Sequence, residues 1–201
     1  MSSVVDLCNL ALSRLGDSAT VASIDPPEGS AQAEHCSRVY PIARDSLLEM
    51  HDWKFATRRA VLSELTVDSF NWTYAYAEPN GALRIISVLD ATQSAEDESY
   101  PFAAESGEDG AALIYTNLQD ATVRYVARVT DTTKFSPLFA DALAWLLASH
   151  IAGPLIKGTA GQAAAKACYT NFNLVFSYAK VSDANQRKSE PTHTPGWIAG
   201  R

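Results

Sequence analysis

The sequence predicts a mainly α fold: an antiparallel helical bundle, a small antiparallel β-sheet subdomain inserted in it, and an extended C-terminal tail. Three observations lead there. Apolar residues recur at helical spacing before residue 50 and again from Pro137 to Ala179. Between these blocks the period drops to two, as Trp72, Tyr74 and Tyr76 alternate with Thr73 and Ala75. Beyond Ser182 the chain is polar and proline-bearing, a composition that builds no core by itself. The expected organisation is a helical part over 1–59, a β subdomain over 60–130, the C-terminal part of the same bundle over 131–181, and a tail over 182–201.

Each element has a local reason. Ser3 and Asp6 have the spacing of a capping box at the head of the first helix. Val4, Cys8, Ala11 and Leu15 share one face of it, Leu7 and Leu12 widen the stripe, and Gly16 supplies the stop. Asp25-Pro26-Pro27-Glu28-Gly29-Ser30 is a turn. A second helix begins near Ser30, with Val39, Ala43, Leu47 and Met50 on one face, Glu34 and Arg38 spaced for an ion pair, and Pro41 as a source of a kink. Strands are expected at 72–76, Leu83–Leu89, 111–116 and 122–129, the last with Arg124 and Arg128 on one face and Val123, Tyr125 and Ala127 on the other. Ser136-Pro137 opens a helix that is apolar nearly all round to residue 152, and Gly153-Pro154 is expected to end it. Such a helix is either the central core helix or covered in part by a neighbouring subunit. Thr159 opens the last helix, with Tyr169, Phe172, Phe176 and Ala179 on one face.

Composition narrows the class. A chain of 201 residues buries enough surface to fold without staples. Cys8, Cys36 and Cys168 are odd in number, far apart and in apolar helical contexts, which suits small buried hydrophobes better than disulfides or metal ligands and fits an intracellular folding compartment. The N-terminus lacks the basic flank of a signal peptide. The longest apolar stretch, Leu138 to Ala148, is broken by Asp141 and falls short of the roughly 18 residues of a membrane span. The net charge of −7 comes from Asp90, Glu96, Asp97, Glu98, Glu105, Glu108 and Asp109, which lie in a stretch with no lysine or arginine; the rest of the chain balances. A broad DNA-gripping surface needs clustered cations, and Lys54, Arg58 and Arg59 are the only group of that kind.

Motifs for chemistry are sparse. His pairs and cysteine pairs with metal-site spacing, the Walker pattern, Gly-x-Gly-x-x-Gly and Gly-x-Ser-x-Gly are all missing. His35 and Cys36 are adjacent, but neighbours on a helix point about 100° apart and do not face each other. His51 and His150 fall near helix ends, where a polar cap is favoured. No catalytic, cofactor-binding or metal-ligating residue is assigned. Trp53 and Phe55 are suited to fill the gap between helices and sheet. Arg58 and Arg59 point to opposite sides of an extended chain, where one can pair with an acid of the same chain or of a partner.

One run is more specific than the rest: Arg44-Asp45-Ser46-Leu47-Leu48, leading through His51 to Trp53-Lys54-Phe55-Ala56-Thr57-Arg58-Arg59. Around it stand Leu15-Gly16, Val21-Ala22-Ser23-Ile24-Asp25, Tyr40, Leu83-Arg84-Ile85-Ile86, Val123 to Asp131, and Phe135-Ser136-Pro137 to Ala144. In this order they resemble the bacteriophage head-to-tail adaptors of the tail tubular protein A type, found beneath the portal of short-tailed phages. The resemblance covers most of residues 3–180. It implies a structural protein that performs no covalent chemistry and needs no cofactor. Such a protein forms a twelve-membered ring under the portal protein, extends the channel for double-stranded DNA without sequence-specific binding, and docks a tail nozzle or tail tube protein. Made in the host cytoplasm, it would reside at the head–tail junction of the virion and span no membrane. The candidate inter-subunit or junction residues are Arg44, Trp53, Lys54, Phe55, Arg58 and Arg59, with Trp197 and Ile198 as an apolar foothold on the tail. The acidic stretch 90–110 is a candidate lining for the channel, or an outward surface for a tail protein.

Two other classes stay open. Some relatives of that family are associated with cell-wall lysis, so a tail-associated peptidoglycan hydrolase is the enzymatic alternative; it requires paired carboxylates across a cleft, one beside an apolar wall. A single-strand nucleic-acid module would use Trp72, Tyr74 and Tyr76 with Arg84, Arg124 and Arg128 as a stacking platform.

Overall fold

A computed structural model describes residues 3–18, 20–90 and 99–186. Helices account for 46% of these residues and strands for 22%, with four α-helices and two three-stranded antiparallel sheets among them. The expectation of a mainly α bundle with a small inserted sheet is therefore corrected: the molecule is an α/β mixture. The reason lies in two strands the sequence reading did not contain, Thr57–Val61 and Phe102–Ser106, each of which completes a sheet.

Helix α1, Val4–Arg14, begins at the expected box: Asp6 N–H donates to Ser3 Oγ at 3.1 Å and Ser3 N–H to the Asp6 carboxylate at 2.8 Å. Its end is a Schellman turn. Gly16, at φ 75°, donates to Ser13 O, and Asp17 N–H reaches Leu12 O. Helix α2, Ala31–Glu49, is capped by Ser30 and runs through Pro41, which sits on the exposed side. Then come β1, Thr57–Val61; β2, Tyr74–Ala77; β3, Ala82–Asp90; β4, Phe102–Ser106; β5, Ala112–Thr116; and β6, Ala121–Ala127. Trp72 precedes β2 rather than belonging to it.

The strand orders are β1-β6-β3 in the first sheet and β2-β5-β4 in the second. The first sheet is the middle layer. Val126 on one of its faces belongs to the helical core, with Leu83 and Ile86 packed against it. On the opposite face Val88, Val123, Tyr125 and Ala127 meet Tyr76 and Ile114 of the second sheet. The outer face of the second sheet carries Ala75, Leu113 and Tyr115 under Leu65 and Trp72. β6 lies at the centre of the first sheet and has both faces covered, so Val126 on the Arg124 side is as buried as Val123 on the other.

Helix α3, Pro137–Ile156, is capped by Ser136 and lies among α1, α2 and α4. Coverage of this apolar helix thus comes from its own chain, and neighbouring subunits are not required for it. Gly153-Pro154 does not end the helix, which runs on to Ile156. A proline this near a C-terminus forfeits one hydrogen bond in a turn that is about to end anyway. At 20 residues with mean hydropathy 1.4, α3 meets the length and composition of a membrane span, longer than the apolar stretch read from sequence, and half of it is buried inside the protein. A single residue, Lys157 at φ 60°, ψ 165°, connects it to α4, Gly158–Ala184. Phe176, late in α4, approaches Trp53 beside Phe139 at the start of α3, and Gly161 meets Ala152 and Gly153; the two helices therefore run antiparallel. Helix α4 continues past residue 181, where the tail was expected to begin.

Candidate functional site

The run singled out by sequence covers the end of α2, the turn that follows and the start of β1; Trp53 and Ala56 in the turn are buried, while Arg58 and Arg59 on β1 are exposed. Trp53 is fully buried, and its indole N–H donates to Leu47 O at 2.8 Å across the end of α2. Its ring lies edge-on to Phe139 at 5.0 Å and near Phe55 and Phe176, each at 6.1 Å. Phe55 in turn packs on Phe135 and Phe139. Trp53 thus knits together the ends of α2, α3 and α4, deeper than a plug between helices and sheet. Trp53 O accepts from Ala56 N–H, Thr57 N–H and Thr57 Oγ1, which closes the turn and launches β1.

Lys54 fastens the other end of the molecule. Its ammonium donates to the carbonyls of Asp183 and Ala184, the last turn of α4, while its backbone N–H donates to Asp183 Oδ1 at 3.2 Å. A cation on orphan C-terminal carbonyls complements both their hydrogen-bonding deficit and the helix dipole. Asp183 is 7% exposed. Its Oδ2 lies 3.3 Å from His51 Nε2, an ion-pair distance without hydrogen-bond geometry. Sequence reasoning named Lys54 but missed Asp183, whose only signal was an acid at the end of an amphipathic helix.

The remaining candidates are dispersed. Arg44 pairs with Asp45 at 2.8 Å and lies 5.8 Å from the Tyr40 ring, whose phenol burial pushes up to about 12. Asp45 also accepts from Arg128 at 2.9 Å. Arg84 reaches from β3 to Asp52 and to Glu49 O, so two arginines rivet the first sheet to α2. Arg58 and Arg59 are both exposed on β1, opposite Tyr125 and Arg124 respectively, and so on opposite faces as alternation requires. Trp197 and Ile198 lie outside the described residues, as do residues 91–98 of the acidic stretch. The rest of that stretch is partly strand, since β4 forms a hairpin with β5.

Chemically the described residues offer little convergence. They contain no group of three or more His, Cys, Asp or Glu able to hold a metal ion. Burial raises the Glu78 carboxyl above its ordinary value, but no hydrogen bond or ion pair joins it to a second acid. Cys8, Cys36 and Cys168 are free and buried, as the apolar contexts suggested. The facing Cys36 thiol and burial push the Cys8 thiol up, which makes it a poor nucleophile. The aromatic platform does not assemble. Tyr76 is buried between the sheets, with its hydroxyl on Leu118 O, while Arg84 and Arg128 are committed to α2 in another layer. Comparison with protein-family models and with curated proteins gives no match.

Proposed function

We propose that this chain is a structural head-to-tail adaptor that forms a ring beneath a phage portal, extends the DNA channel and docks a tail nozzle or tube protein. One observation carries the reading. From Arg44 to Phe55 the run that is the most specific part of the resemblance joins elements rather than lining a cleft, and Arg58 and Arg59 at its end are exposed on β1. Arg44 and Asp45 hold α2 to the segment after β6, Trp53 and Phe55 join three helix ends, and Lys54 holds the end of α4. A protein that works through interfaces needs such internal rigidity, because a mobile scaffold adds ordering cost at every contact. Exposed apolar residues also recur along α4 at Leu174, Tyr178 and Val181, spaced for one face of the helix, opposite the face that Phe172 and Ala179 bury in the core. Catalysis has no part in this role, and the DNA passes without being gripped, since each phosphate contact would add affinity and drag.

The test is stoichiometry. Mixed with isolated portal rings, the protein is expected to give a complex whose mass corresponds to twelve copies per ring. A stable complex of one copy with a whole portal, or no complex, overturns the proposal.

A further inference from the structure

The two sheets have four edges, and two of them are occupied within the chain. Leaving β1, the chain runs alongside β2: Leu65 N–H donates to Ala75 O at 2.8 Å and Ala77 N–H to Ser63 O at 3.0 Å. Tyr100 runs alongside β3, donating to Val88 O at 2.9 Å, and the chain then enters β4 directly. No strand among the described residues flanks the outer side of β1 or of β4. The same connections fix where these two open edges lie. β1 is on the β2 side of the stack and β4 on the β3 side, so they face away from each other.

The edges also differ in charge. β1 reads Thr57-Arg58-Arg59-Ala60-Val61, has no acid, and leaves both arginines exposed with Val61 at 73% exposure. β4 and its turn expose Glu105, Glu108 and Asp109, with no base between residues 99 and 110. Like charges oppose pairing of β1 with another β1, and of β4 with another β4. The combination of β1 with β4 is matched: a strand with two arginines and no acid meets an edge that carries Glu105 and runs on into the Glu108–Asp109 turn.

We infer that β1 of one copy pairs edge to edge with β4 of the next, a head-to-tail strand addition repeated from subunit to subunit. Backbone hydrogen bonds supply the contact and the charges set its polarity. A heterologous contact between opposite sides of a molecule propagates, and it closes into a ring when the rotation permits. Closure under a portal rests on the adaptor reading; the strand pairing itself does not.

The experiment places one cysteine on each edge in the full chain, where the native thiols are buried: Val61→Cys with Ser106→Cys, neighbours in a parallel pairing, and Val61→Cys with Phe102→Cys, neighbours in an antiparallel one. Under mild oxidant one of these two doubly substituted proteins is expected to give a ladder of covalent multimers, and Val61→Cys alone none. Adding Arg58→Glu and Arg59→Glu to the protein that gives the ladder, or instead Glu105→Arg and Glu108→Arg, should each lower multimer yield by about tenfold or more. Mixing these two charge-reversed proteins should restore it, since each then offers the edge the other lacks. Restoration also excludes misfolding as the cause of the loss. Absence of a ladder both free and on portal rings, or covalent dimers from Val61→Cys alone, overturns the inference. A ladder from a protein that ignores portals leaves the edge pairing standing and removes the adaptor reading. Portal binding without a ladder does the reverse.

Discussion

Gly161 of α4 lies close against the backbone of α3. A Cβ there would stand 3.2 Å from Ala152 O and 3.3 Å from Gly153 O, both backbone atoms held in a helix. Gly161→Val is expected to lower stability by about 2 kcal/mol through overpacking, read as a lower urea midpoint with an unchanged slope. Nothing in the sequence distinguishes this glycine from the others, because closeness to a neighbouring helix is not a local property. Asp141 teaches the same lesson from the opposite side. In sequence it interrupts an apolar run; in the structure it is the partner of Arg14 on α1, which also donates to Asp141 O at 3.0 Å and stacks 4.1 Å over Trp145. The interruption was visible, but not the arginine 127 positions away that explains it.

Elements were legible where their ends carry local chemistry. The Ser3–Asp6 box, the Ser30 and Ser136 caps and the Gly16 stop all stand where the sequence puts them. Three exposed or turn acids make this chemistry titratable. Asp6 is held below the ordinary carboxylate value by the Ser3 backbone N–H and hydroxyl. Glu28 is lowered by Ala22 N–H and the Ser30 hydroxyl, and Asp131 by the Thr133 hydroxyl and N–H. Each binds its proton more weakly folded than unfolded, so its contribution is complete above the ordinary value near pH ~4 and is lost as pH falls through the lowered one. Urea midpoints should fall with acidification over that window, and the combined Asp6→Asn and Glu28→Gln protein should show a shallower fall. Strand β4 was missed because Phe102-Ala103-Ala104-Glu105-Ser106 has no β-branched residue; only its pairing with β5 makes it a strand. At the far end of α4, Asp183→Ala removes the acceptor of Lys54 N–H and is expected to cost ~2 kcal/mol locally. Hydrogen exchange should quicken in residues 180–184 and at Lys54 while the amides of α3 keep their protection; uniform acceleration across the molecule would contradict this local account.

At the scale of the whole molecule the order of elements was readable and their layering was not. Sequence places helices, four of the six strands and helices again in order along the chain, yet the sheet a strand joins is decided by partners far away. β6 sits between β1 and β3, the first and third strands to be made. The aromatic and basic residues that looked like one surface therefore fall into different layers, and of the described junction residues Trp53 is buried in the helical layer while Arg58 and Arg59 are exposed on β1. The clasp between Lys54 and the last turn of α4 has a mechanical side. Tension applied to the chain beyond Gln186 is not absorbed by unwinding α4 alone. It passes through Asp183 and Ala184 to Lys54, and three residues later it arrives at β1, an edge strand of the first sheet. A pull on the C-terminus and the alignment of that strand thus share a load path, and within the first sheet a strained C-terminus would be felt first at Thr57.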